Sequence, residues 1–425
     1  MLQTTSTIFL IILCIMIGHS LITPLLSKDK TQIWSPLTIV ALIFLYYIVK
    51  PSFDDISLYG ANYVPNQYMF YFCTVVFYGC ILIAFKRTKS GKFDKWNSLF
   101  TEGDSQKAAL VLFIIAMICY VPFRGLRTTI SAEDATIVSA RTGLVSYFID
   151  LISLFVGACC LAIVGLKNKA GLGLKKRAVV LVIIYFTLVM FIVGGFRYRL
   201  VILVLAMATT YHLYPVPRKI NYVILVPIAI AMYLGFAIMD SARSYGRGIN
   251  LDVAKSISLE DASKGAGESA DVCCFSIAAI DAYSRNDAYI GFEPILTAVL
   301  MPIPRAIFPS KPDGSYMREA QIRIIGNSDG GAAFLIQAEA YLSFGMLGII
   351  LYGLFVGWLS KKVWSNYQNN KDSIGAILLL ALFNGFMYTW MSRGYMAGAF
   401  NDFIYFVVLP FWLTSLINRF SKSKS

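Results

Sequence analysis

Histidine is almost missing from this chain: only His19 and His212 occur in 425 residues, both at apolar runs. A zinc site of the His-Glu-x-x-His kind and a histidine base in a polar loop are therefore excluded as readings. There is no paired Cys-x-x-Cys, no phosphate-binding Gly-rich loop and no dinucleotide fingerprint. Charge is scarce as well. Only 14% of residues are charged, 57% are hydrophobic, and the mean hydropathy is +0.66. A water-soluble globule could not hide that much apolar surface. Of eight cysteines, Cys14, Cys73, Cys80, Cys119, Cys159 and Cys160 lie in apolar runs, where a thiol behaves as a small hydrophobe. Cys273 and Cys274 are adjacent, and no other loop cysteine is near enough in the chain to suggest a disulfide framework.

Long apolar runs are present instead. A helix that crosses the roughly 30 Å hydrocarbon core needs roughly 20 mostly apolar residues. Such runs fall at about 7–26, 33–50, 68–85, 108–123, 142–165, 178–195, 199–214, 220–240, 337–359, 374–390 and 401–419. The expected fold class is an all-α polytopic membrane protein with about 11 transmembrane helices (10–12). Residues 1–239 form an N-terminal helix bundle of about eight spans, 240–336 one large loop, and 337–425 about three further spans.

The formal charge of +13 would suggest nucleic acid in a soluble protein. Here its distribution gives a simpler account, with no nucleic-acid partner. Alternate loops carry 21 lysines and arginines on one side and 7 on the other, the large loop left out. Basic residues collect in cytoplasmic loops. The expected arrangement is an N-terminus outside, a cytoplasmic C-terminus, and a large loop that faces the periplasm or cell exterior.

That loop holds a helix-compatible stretch, Ala270 to Tyr283, and an apolar piece, Phe292 to Met301, too short to span. Pro302, Pro304, Pro309 and Pro312 follow and exclude a continuous helix. The expectation is an interfacial or re-entrant segment, then a rigid extended turn against the membrane surface.

Arginine on the outer side is the chemistry-bearing feature. Arg197 and Arg199 sit in Gly194-Gly195-Phe196-Arg197-Tyr198-Arg199, Arg243 and Arg247 follow the eighth run, Arg305 and Lys311 lie in the proline-rich turn, and Arg393 lies in the last outer turn. A single arginine at a helix end usually snorkels to headgroups or pairs with an acid. Several on the face where basic residues are otherwise depleted point to a shared anionic ligand, since guanidinium binds phosphate bidentately and keeps its charge. Glu339 opens the ninth run in Glu339-Ala340-Tyr341-Leu342-Ser343-Phe344-Gly345-Met346-Leu347-Gly348. Two readings stand for it: a carboxylate favoured by the helix dipole, or a cavity-lining group that binds or deprotonates a sugar hydroxyl. Gly345 and Gly348 would let a neighbouring helix approach closely.

Many spans, a Gly-Phe-Arg hairpin, a late outer loop with Pro-Arg-x-x-x-Pro-x-Lys-Pro, and a Glu-x-Tyr-x-x-Phe-Gly-x-x-Gly helix after it resemble the bacterial O-antigen and oligosaccharide repeat-unit polymerases, the Wzy-type family. The resemblance implies a fold similar to the membrane-embedded lipid-sugar glycosyltransferases. It also implies metal-independent, cofactor-free glycosyl transfer at the outer face of the bacterial inner membrane. The donor would be a glycan on undecaprenyl pyrophosphate and the acceptor a repeat unit on the same carrier. The product would be O-antigen or capsule, and the partners a chain-length regulator and a flippase. In that scheme Glu339, Arg197 and Arg305 serve catalysis, while Arg199, Arg243, Arg247, Lys311, Tyr341 and Arg393 bind substrate. The similar O-antigen ligases use a histidine in the large loop, which this loop lacks. A lipid-linked oligosaccharide flippase or transporter is the reading from another class; such proteins show paired halves and midplane charges.

Overall fold

The computed structural model describes residues 2–53, 67–90, 102–129, 150–166, 174–193, 197–218, 268–285, 289–303, 307–312, 314–325 and 333–422, with a few isolated positions between 223 and 249. Its helices are α1 (Leu2–Leu26), α2 (Pro36–Phe44), α3 (Gln67–Arg87), α4 (Glu102–Thr129), α5 (Leu154–Leu166), α6 (Leu174–Val193) and α7 (Arg197–Leu213). After them come α8 (Glu268–Ser284), α9 (Glu293–Leu300), α10 (Ser315–Ile325), α11 (Ile336–Asn369), α12 (Ile374–Ser392), α13 (Met396–Phe403) and α14 (Leu409–Lys422). One departure from an all-helical chain is a two-residue antiparallel ladder, β1 (Arg243–Ser244) with β2 (Gly248–Ile249).

Among the described residues, six helices are long and apolar enough to cross a membrane: Thr5–Leu26, Pro36–Phe53, Gln67–Arg87, Ile336–Asn369, Ile374–Ser392 and Met396–Ile417. Shorter apolar helices cover Ser105–Val121, Leu154–Leu166 and Arg177–Ile192. Every apolar run of the sequence except 220–240, most of which lies outside the described residues, contains a described helix.

Local rules explain several boundaries. Pro36 opens α2, where a missing N–H costs nothing and the fixed φ suits a helix. The Ser373 side chain accepts from the Ala376 N–H at the start of α12. A π-helical turn over Leu45–Val49 continues α2, and another over Ile404–Val408 joins α13 to α14.

The basic loops meet at one end. Lys371 pairs with Asp29 at 3.3 Å, Gln368 bonds Thr31, Asn369 bonds Ser90, and the Lys362 ammonium donates to the Lys89 carbonyl. Partial burial would raise the Asp29 carboxyl, but donation from Thr31 and the Lys371 charge outweigh it and hold the carboxyl below its ordinary range. At this basic end the His212 ring also stacks on Trp34 at 5.1 Å.

Helix α3 packs along α11 at Gly353 and Gly357. A methyl group at Gly353 would fall 2.7 Å from the Phe77 carbonyl oxygen, and one at Gly357 would collide with the Ile81 carbonyl. This is small-residue packing of the kind that brings helix backbones together in lipid. The pair that supplies it is Gly353 and Gly357.

Gly345 and Gly348 have a different job from the close helix approach expected of them. The dihedrals of Phe344 (φ −143°, ψ 22°) and Gly345 (φ 59°, ψ −138°) break α11 into a short piece, 336–343, and a long one, 346–369. Only glycine adopts the Gly345 conformation cheaply. The bend swings the Ala340 carbonyl onto Gly348, leaving no room for a side chain there.

Candidate functional site

A break in a helix leaves carbonyls without intrahelical partners, and in a membrane they must be satisfied internally. The loop segment that leads into α9 satisfies two of them. The Ile290 N–H donates to Leu342 O and the Gly291 N–H to Ser343 O, each at 2.9 Å. Aromatic contacts fasten the same joint: Tyr289 lies edge-on to Tyr341 at 6.1 Å and Phe292 to Phe344 at 4.9 Å. Tyr341 is thereby buried in the loop's docking surface.

Glu339 lies on the short piece before the break and is 1% exposed. Its Oε1 accepts two hydrogen bonds, from the Tyr316 hydroxyl at 2.9 Å and the Met396 N–H at 2.8 Å. The donors come from different elements, α10 and the first residue of α13. Burial first, and then the neighbouring Glu339 charge, push the Tyr316 hydroxyl far above its ordinary range, so it keeps its proton and acts as donor. The Tyr316 ring also contacts Tyr395 at 6.0 Å, and the Tyr352 hydroxyl donates to Met396 Sδ at 3.1 Å.

The turn Arg393-Gly394-Tyr395 runs directly past this carboxylate. The Gly394 N–H donates to the Phe334 carbonyl, and a methyl group at Gly394 would fall 2.6 Å from the Leu335 oxygen and 3.2 Å from Glu339 Cβ. Glycine is required there because the two backbones touch. Arg393, one residue earlier, sets its guanidinium carbon 5.6 Å from the centre of the Tyr198 ring. Arg199 sets its own 5.5 Å from the same ring. The turn between α12 and α13 thus reaches both Glu339 and, through the Tyr198 ring, Arg199 of α7.

Arg197 and Arg199 occupy the first turn of α7, the first half-buried and the second 2% exposed. Cations are disfavoured at a helix N-terminus, where the dipole is already positive. Two arginines there, and a third sharing Tyr198, make a strongly positive corner that suits a polyanion.

The other expected residues fall differently. The Lys311 ammonium donates to the carbonyls of Met301 (3.0 Å) and Ile303 (2.6 Å), tying the proline-rich turn back to the end of α9. Arg243 belongs to β1, and no position is described for its side chain. Arg247 and Arg305 lie outside the described residues. Sequence reasoning missed Tyr316, the Met396 N–H and the Tyr198 ring. Nothing in their spacing marks them, because each acts through a neighbour distant in the chain. Helix α10 was likewise not foreseen. Its Arg323 guanidinium lies 4.6 Å from the centre of the Tyr283 ring of α8, which fastens it to the rest of the loop.

A family model described as O-antigen polysaccharide polymerase Wzy matches residues 2–424. Searches of curated proteins and of solved structures found no match.

Proposed function

The chain belongs to the O-antigen polysaccharide polymerase Wzy family, and from that premise we propose that it joins undecaprenyl-pyrophosphate-linked oligosaccharide repeat units at the face of the inner membrane away from the basic end. A repeat-unit polymerase role and a multi-pass membrane setting follow from the family and the apolar helices. The carrier, the residue roles and the partners are our reading. The observation that carries it is the buried Glu339 carboxylate, held by two donors, beside the turn that bears Arg393 and through it joined to Arg199.

In this mechanism the acceptor's terminal sugar hydroxyl attacks the anomeric carbon of the donor glycan. A carbon–oxygen bond forms there as the bond from that carbon to the pyrophosphate oxygen breaks. The hydroxyl proton passes to Glu339, and the lipid pyrophosphate departs with the electron pair. The leaving group is already good, so the protein's task is alignment and neutralisation of the charge that develops. Arg197, Arg199 and Arg393 supply the positive field, with Arg305, Arg243 and Arg247 assigned to the glycan and pyrophosphate path. Lys311 and Tyr341 hold the loop in place for substrate binding. A chain-length regulator and a flippase are the partners such a polymerase works beside.

The test expresses the protein, with its cognate repeat unit, in a strain deleted for its own polymerase. Surface polysaccharide is then resolved on a gel. Wild type is expected to give a ladder of chain lengths. At matched expression, Glu339→Gln is expected to lower elongation by about 10²–10⁴-fold, and Arg199→Ala and Arg393→Ala to collapse the ladder to single repeats. Absence of a ladder from wild type would overturn the polymerase reading in favour of a flippase.

A further inference from the structure

Helix α9 and the turn after it present an apolar surface that a loop in water should not carry. Phe292, Leu296 and Val299 are 68%, 54% and 58% exposed, and their spacing of four and three residues puts them on one face. Ile307, between Pro304 and Pro309, is 74% exposed. Glu293 is the only acidic or basic side chain between Tyr289 and Ile303, and it sits in the first turn of α9.

The surface continues into the exposed apolar face of a helix long and apolar enough to cross a membrane. The Phe292 ring rests on Phe344 at the break in α11, and the next exposed residues of that helix are Leu347 and Leu351, at 59% and 51%. They belong to the spanning helix Ile336–Asn369. The backbone is prepared for the same solvent. The Lys311 ammonium occupies the carbonyls of Met301 and Ile303, which the end of α9 would otherwise leave open.

We propose that α9 and the Ile307 tip are inserted among the acyl chains of the leaflet away from the basic end, as an anchor that sets the depth of the site. Continuity with the lipid face of α11 identifies the occupant as hydrocarbon and not a second protein. The anchor touches the element of one Glu339 donor and the helix piece that carries Glu339. Helix α9 packs on α13, whose Met396 N–H holds the carboxylate, and the chain entering α9 caps the carbonyls of Leu342 and Ser343 on the helix piece that bears it. Resting on the polymerase reading, one consequence is that lipid-linked substrates reach Glu339 sideways from this leaflet, their polyprenyl tails never leaving the hydrocarbon.

The experiment does not depend on enzymatic activity. A nitroxide is attached at Leu296→Cys and, separately, at Val299→Cys in the full chain in lipid nanodiscs. Collision with oxygen, which concentrates in hydrocarbon, is compared with collision with a water-soluble nickel chelate. Leu351→Cys serves as the lipid reference and Glu319→Cys as the water reference, and the parent protein taken through the same labelling supplies the background. Oxygen excess at both positions, matching Leu351→Cys, is the expected result. Nickel excess matching Glu319→Cys would put the face in water and overturn the anchor. Shielding from both reagents would mean that protein covers it, and would overturn the anchor equally. A failed ladder with oxygen excess would sink the polymerase reading and leave the anchor standing.

Discussion

Glu339 takes its hydrogen bonds from a side-chain hydroxyl on one element and a backbone N–H on another, so its orientation depends on both staying in place. Tyr316→Phe removes one donor and keeps the ring against Tyr395. A hydrogen bond to a charged group contributes roughly 1.5–3 kcal/mol, so the elongation rate with purified lipid-linked substrate is expected to fall about ten- to hundredfold. An unchanged rate would deny Tyr316 a positioning role. The adjacent thiols of α8 lead to a different expectation. Cys273 is fully buried; burial first, and then its neighbour Cys274, push its thiol far up. Burial first, and then Asp271, push Cys274 up to about 11. Only the thiolate reacts readily, so maleimide should label neither in the folded protein at neutral pH and both after denaturation. Rapid labelling of the native protein would show that α8 is not packed as described.

At the scale of elements, the break in α11 organises the site. It turns the Glu339 piece away from the spanning piece and exposes the two carbonyls on which the loop docks. Gly345→Ala is therefore expected to cost about 1–3 kcal/mol from backbone strain alone. It would also press a methyl group to 2.8 Å from the Tyr289 ring. Thermal unfolding in detergent checks this, and adding Tyr289→Ala should relieve the collision and not the strain, restoring only part of the loss. Full restoration would mean that crowding, and not the dihedral, makes glycine necessary. The π-helical turn after α2 has a related consequence. It carries Tyr47, whose hydroxyl lies 2.7 Å from that of Tyr388 on α12, so an irregular turn again carries a polar contact between helices.

Across the whole molecule, among the described residues, the basic segments around Lys30, Lys89 and Lys371 gather at one end, while Glu339, Arg199, Arg393 and the docked loop gather at the other. If the basic end is cytoplasmic, Glu319→Cys on α10 should react with a membrane-impermeant maleimide in cells whose outer membrane has been permeabilised. Ser90→Cys should react only after the inner membrane is opened. The reverse pattern would invert the topology. The sequence by itself determined where the apolar helices outside the large loop lie among the described residues, because a bilayer demands apolar runs of set length with their hydrogen bonds closed inside each run. It also determined which side chains were candidates, since charge in such a chain is rare enough to be conspicuous. The tertiary structure alone decided which of them meet. The Tyr316–Glu339 and Met396–Glu339 contacts join residues 23 and 57 positions apart, and Arg393 reaches the ring of Tyr198 from another helix. Helical periodicity reports only neighbours three and four residues apart on one face. Contacts between helices depend on how faces pack and where a helix breaks, and the glycine that breaks α11 looked in the sequence like one more small residue at a helix crossing.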